Sequence, residues 1–128
     1  MAALNDITNT TGRLIAADQV NGTAVYSTQG EKLGSVEDIV IDKFSGRIVY
    51  AVLNFGGFLG FGGQHHPLPW DTLKYDPGLG GYVVPFEKST LEGAPAYGDA
   101  QPVSWDDRAW GGRVHSHYNA KPYWDFPI

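Results

Sequence analysis

Residues 51–70 read AVLNFGGFLGFGGQHHPLPW, and the fold turns on how this stretch is parsed. It divides into the end of an apolar strand, a glycine-rich aromatic loop, and a second strand that carries two prolines and closes on Trp70. The first strand begins a little upstream. Residues 47–55 (RIVYAVLNF) are dense in β-branched and aromatic side chains, which suit a pleated, packed surface. Alternation places Ile48, Tyr50 and Val52 on one face and Val49, Ala51, Leu53 and Phe55 on the other. Both faces are apolar, so this strand is predicted to be central or to be covered on its second side.

The loop at 56–63 holds five glycines around Phe58, Leu59 and Phe61. Glycine permits left-handed backbone and abrupt reversal. A phosphate-binding loop would need a helix opening here, or a Gly-Lys-Ser/Thr step. No lysine follows, and Pro67 and Pro69 bar a regular helix, so phosphate binding is not expected. Two compatible readings stay open: aromatics folding over the end of a barrel, and an apolar contact surface for a partner. Beyond the loop, His66, Leu68 and Trp70 share one face of an extended segment, and His65, Pro67 and Pro69 share the other. Prolines at alternate positions remove donors from one side only, as an edge strand tolerates.

Outward from this stretch, composition sets the class. The 128 residues are 42% hydrophobic and 13% aromatic, enough to build the core of one domain. Seventeen glycines and eight prolines favour turns and short strands over long helices. The absence of cysteine excludes disulfides, thiol chemistry and thiolate metal sites. Net charge is −5 and the nine basic residues are scattered, which excludes the clustered phosphate contacts of a nucleic-acid binder. No window approaches a transmembrane helix. The N-terminal MAALNDITNTTGRL has no basic region leading into an apolar one, so no signal peptide is expected and the predicted location is cytoplasmic.

Along the chain, residues 1–12 read as a flexible polar terminus, and Leu14, Ile15, Ala16 and Ala17 as a short extended segment. Residues 23–26 form a first strand, followed by a turn at 27–30. Residues 32–42 (KLGSVEDIVID) read as a long strand with a bulge near Glu37 and Asp38, which explains a phase slip in the apolar pattern. Lys43, Phe44, Ser45 and Gly46 make a tight hairpin turn, with Gly46 in the left-handed region. After Trp70 come a single turn at 71–73 and a last hairpin, 74–75 with 82–84. Ser89 to Glu92 fits a capping box and a short helical turn. Residues 104–110 suggest another, ended by Gly111 and Gly112. The segment from Tyr97 on carries Trp105, Trp110, Tyr118, Tyr123, Trp124 and Phe126. Disordered tails are poor in aromatics, so this one is expected to pack on its own barrel or on a second copy of the chain.

Several of these motifs, in this order, resemble the PRC-barrel domains. They are Gly22 to Tyr26 (GTAVY), Gln29 to Gly34 (QGEKLG), Lys43 to Gly46 (KFSG), Phe55 to Gly60 (FGGFLG) and His66 to Trp70 (HPLPW). That family includes the cytoplasmic domain of the photosynthetic reaction-centre H subunit and the C-terminal half of a ribosome-maturation factor. The resemblance covers roughly residues 13–95. It implies an all-β fold: a small six-stranded barrel with short helical turns, here followed by an aromatic-rich extension over 96–128. It also implies an interaction or regulatory module with no catalytic residues to map and no cofactor.

Chemistry in the remaining residues is sparse. His65, His66, His115 and His117 are the candidate metal ligands. An extended backbone would put His115 and His117 on one face, while His65 and His66 point oppositely, and Asp71 or Asp125 would have to complete a site. Nothing in the spacing brings them together, and no metal is expected. The Glu37–Asp38 pair faces two ways in a strand, and Asp106 and Asp107 suit a helix N-terminus. No serine lies in a nucleophile elbow, so no enzymatic activity is expected. The leading expectation is a self-associating module that binds a protein partner. Its contacts would be Phe58, Leu59, Phe61, His66, Trp105, Trp110, Tyr123 and Trp124. The alternatives are a small-ligand or metal-binding protein with a pocket of His66, Trp70 and the tail aromatics, and an H-subunit-like accessory of a membrane or photosynthetic electron-transfer complex, associated peripherally.

Overall fold

The computed structural model describes residues 12–55, 64–99 and 103–125. A short helix, α1 (Ala17–Val20), precedes strands β1 (Ala24–Tyr26), β2 (Lys32–Ile41), β3 (Ile48–Phe55) and β4 (His65–Pro69). A 3-10 turn (Trp70–Thr72) leads into β5 (Lys74–Asp76) and β6 (Gly81–Val83). Helices α2 (Lys88–Glu92) and α3 (Arg108–His117) and a second 3-10 turn (Tyr123–Asp125) follow.

The six strands form one mixed sheet in the order β4-β3-β2-β1-β6-β5. All neighbours are antiparallel except β1 and β6, which run parallel. The edge strands β4 and β5 are consecutive in the chain, separated only by residues 70–73. In a flat sheet of this order the two edges would lie ~24 Å apart at ~4.8 Å per step. Four residues that include a 3-10 turn, at ~2 Å rise each, reach well short of that. The sheet must therefore curl until its edges approach.

It does not close into the six-stranded barrel the sequence predicts, since among the described residues no ladder joins β4 to β5. The reason lies in β4. His65 exchanges both backbone hydrogen bonds with Tyr97, on the side away from β3. Residues 65, 67 and 69 therefore direct their backbone polar groups outward, and at 67 and 69 proline supplies no N–H. The Pro69 carbonyl on that side accepts the Thr72 hydroxyl instead, at 2.7 Å. Trp70 packs across to Tyr82 of β6, with ring centroids 5.6 Å apart, so side chains join what the backbone leaves open.

The bulge expected in β2 is present as a register shift between Val36 and Asp38. Gly46 has φ 81° in the β2–β3 turn. The two-faced apolar β3 is explained by two layers. Val36, Leu53 and Leu68, which share a face across β2, β3 and β4, fill the concave core. On the other face of β3, Tyr50 meets the rings of Trp105, His115 and Tyr123 from the C-terminal extension.

Two local readings change. The capping box at Ser89 does not form: α2 starts at Lys88, Glu87 is its N-cap, and no side chain caps it. More consequentially, Gly111 and Gly112 do not end a helix but lie inside α3. Asp107 caps that helix, its Oδ1 accepting from the N–H groups of Ala109 and Trp110 at 3.0 and 3.3 Å.

Candidate functional site

The extension forms its surface around α3. Gly111, Val114, His115 and Tyr118 recur at i, i+3, i+4 and i+7, and all four are buried. Gly111 allows close approach: a Cβ there would lie 3.0 Å from the Tyr50 hydroxyl and 3.2 Å from the Trp124 ring. Around this contact the aromatic side chains form a continuous cluster. Trp110 meets Trp105 at 6.0 Å between centroids, Trp105 meets Tyr50 at 5.7 Å, and Tyr50 meets Tyr123 at 6.1 Å. Tyr123 meets Trp124 at 4.9 Å, and the Arg108 guanidinium stands 5.1 Å from the Trp124 ring centroid.

Four of the residues singled out in the sequence, Trp105, Trp110, Tyr123 and Trp124, are thus gathered in one patch, and each is half-buried. Tyr50 beneath them is fully buried, and its hydroxyl has no hydrogen-bond partner. Burial, with the neighbouring Tyr123 phenol, raises its pKa. Phe58, Leu59 and Phe61 lie outside the described residues. His66 is placed otherwise than expected for a contact residue. It is buried in the concave face against Phe55, at 5.4 Å between centroids, and burial followed by the nearby His65 lowers its pKa.

The histidines do not converge. On a helix, positions 115 and 117 are ~200° apart, not on one face as an extended backbone would place them. His115 is buried and its Nδ1–H donates to the Gly111 carbonyl at 2.8 Å. Burial lowers its pKa against the opposing effects of that bond and of Asp71. His117 is exposed, and its Nε2–H donates to the Thr90 carbonyl at 2.8 Å. Among the described residues no group of three or more His, Cys, Asp or Glu is placed to hold a metal ion.

His65 has a setting no sequence pattern announces. Glu37 of β2 lies against its Nδ1, and Asp99 of the extension lies 2.5 Å from its Nε2. The Tyr97 ring packs at a tilt against the imidazole, at 4.9 Å between centroids. Burial opposes charge on this imidazole, and the two carboxylates outweigh it, so its pKa is raised. The Tyr97 phenol, by contrast, is pushed up to about 12 by burial and by Glu37, Asp38 and Asp99.

The anticipated pocket of His66, Trp70 and tail aromatics is divided by the sheet, because His66 and Trp70 face the concave core and the tail aromatics cover the opposite face. A cavity of about 680 Å³ lies elsewhere, where Lys74, Phe86, Thr90, His117, Tyr118 and Lys121 meet. Its Phe86 and Tyr118 rings pack at a tilt, 4.8 Å between centroids. No helix among the described residues is long and apolar enough to cross a membrane.

The family model of the PRC-barrel domain matches residues 12–91, from the start of the described chain to Leu91 of α2. No curated protein matches the chain.

Proposed function

The chain belongs to the PRC-barrel family, and on that premise we propose that it is a non-enzymatic interaction module which self-associates and binds a protein partner through the aromatic extension and the loop at 56–63. The observation that supports this most directly is the patch of Trp105, Trp110, Tyr123 and Trp124, contiguous and half-exposed beside Arg108. Tryptophan, tyrosine and arginine are the residues that anchor protein interfaces when water is excluded from them. Phe58, Leu59 and Phe61 add three apolar side chains from the loop. The histidines fit a non-catalytic reading, since His65, His115 and His117 each hold two segments or turns of the fold together. The acidic net charge fits a protein partner rather than nucleic acid. Fold-level kinship with the H subunit extends the candidate partners to membrane-bound electron-transfer complexes, but fold does not fix function.

Native mass spectrometry of the full chain, beside the Trp110→Ala/Trp124→Ala and Phe58→Ser/Phe61→Ser variants, tests the proposal. The expected result is a dimer or larger species that dissociates in either variant while circular dichroism stays native. A monomer at every concentration, with neither variant altering capture of any protein, overturns it. The same spectrum tests a second reading, small-ligand binding, which the cavity at Phe86 and Tyr118 favours by its size. A stoichiometric added mass on a monomer, lost when Lys74 and His117 are replaced, would bring that reading forward.

A further inference from the structure

We propose that His65 is a proton-operated latch that holds the start of the C-terminal extension on the edge of the sheet. Three segments meet at this one side chain. It stands on β4; Glu37 comes from β2, and Asp99 and Tyr97 come from the extension. Both ring nitrogens face carboxylate oxygens: Nε2 is hydrogen-bonded to Asp99, and Nδ1 is in ion-pair contact with Glu37 without hydrogen-bond geometry. An imidazole can satisfy both only as the imidazolium, which carries two N–H donors; the neutral ring has one donor and one lone pair. Loss of the proton therefore leaves one carboxylate facing a lone pair, and leaves Glu37 and Asp99 without the cation between them.

The other groups at this place do not replace the lost charge. Asp38 lies beside Glu37 on β2 and adds negative charge, which Tyr97 also experiences. Tyr97 stays protonated through the neutral range, its phenol pushed up to about 12. His66, the next residue on β4, is buried with a lowered pKa and stays neutral. The raised pKa of His65 agrees with the geometry.

The latch has a defined load. Beside the ring, the His65 N–H donates to the Tyr97 carbonyl at 2.8 Å, and the Tyr97 N–H to the His65 carbonyl at 3.0 Å. This isolated bridge joins the extension to the outer edge of β4. Tyr97 then passes the contact on to Trp105 and Trp110, at 5.6 and 6.5 Å between centroids. The device stands whether or not a partner binds the aromatic patch.

The test is amide hydrogen exchange read by NMR on the full chain, with rates corrected for intrinsic pH dependence. Protection at the His65 and Tyr97 amides is expected to fall about tenfold between about pH 6 and about pH 9, on losing a charge-assisted pair. The Val52 and Leu53 amides inside β3 should keep theirs. Asp99→Asn, at an exposed position where an amide oxygen accepts from a neutral ring, is expected to shrink the effect, and His65→Gln to abolish it. Protection at His65 and Tyr97 that is equal at both pH values overturns the proposal. So does a fall that persists undiminished in Asp99→Asn, which gives the answer even if His65→Gln fails to fold.

Discussion

Gly34 shows how much a single hydrogen atom decides in this fold. It sits within β2, paired with Val25 on one side and Phe55 on the other. A Cβ at this position would overlap the Asn54 carbonyl oxygen, and that atom is backbone, so it has no rotamer into which to retreat. Gly34→Ala is expected to lower the unfolding free energy by about 1–3 kcal/mol, seen as a lower urea midpoint. An unchanged midpoint would mean that β2 and β3 can part there without cost. In the sequence, Gly34 argues against a helix, and that inference is sound; its close approach to the neighbouring strand has no sequence signal. The histidines follow the same division. The opposite facing of His65 and His66 follows from strand alternation. The pairing of His65 with Glu37 and Asp99 joins residues distant in the chain and leaves no local pattern.

Among the elements, α3 is where sequence reading and structure part. Two adjacent glycines normally argue for a helix end, because each costs ~1 kcal/mol relative to alanine inside one. Here tertiary packing outweighs that cost, since Gly111 admits the Tyr50 hydroxyl and the Trp124 ring. Gly111, Val114, His115 and Tyr118 form a buried helical stripe that runs through the pair. Gly112 lies in the same helix with nothing within 4 Å of a Cβ. Gly112→Ala is therefore expected to raise stability by up to ~1 kcal/mol. Gly111→Ala should lose that gain to crowding, and a thermal melt of the pair decides the matter. Equal gains at both sites would sink the packing account. In the strands, reading was more successful: the phase slip in β2 marked its bulge, and the alternating prolines marked β4 as an edge. A strand's two-residue period survives tertiary packing, whereas a glycine's neighbour does not show in sequence.

The whole molecule responds to pH through histidines of opposite sign. His66 and His115 have lowered pKa values in the folded state, so the unfolded chain takes up their protons first, and stability falls as pH drops below about 6.5. His65 is raised, so its contribution is complete below about 6.5 and is lost as pH climbs through its folded value. A stability maximum near pH 6.5 follows, with His65→Gln removing the decline between about pH 6.5 and about pH 9 and leaving the acid one, while the raised phenols of Tyr50, Tyr97 and Tyr118 add a separate decline above about pH 10. Urea unfolding across pH checks this, and a decline between about pH 6.5 and about pH 9 that stays intact in His65→Gln would contradict it. At this scale the six-stranded architecture was legible in strand patterns and motif order, while the seam was not. Whether two edges of a curled sheet pair depends on which way each backbone group points in three dimensions. That seam has a consequence for the protein in a crowded solution. An exposed strand edge is a template on which another chain can add, and repeated addition is how fibrils grow. The outer edge of β4 offers no donor at 67 and 69 and is occupied at His65 by Tyr97, and β5 at the opposite edge is only three residues long. The same prolines that keep the sheet from closing on itself also deny its edge to every neighbouring chain.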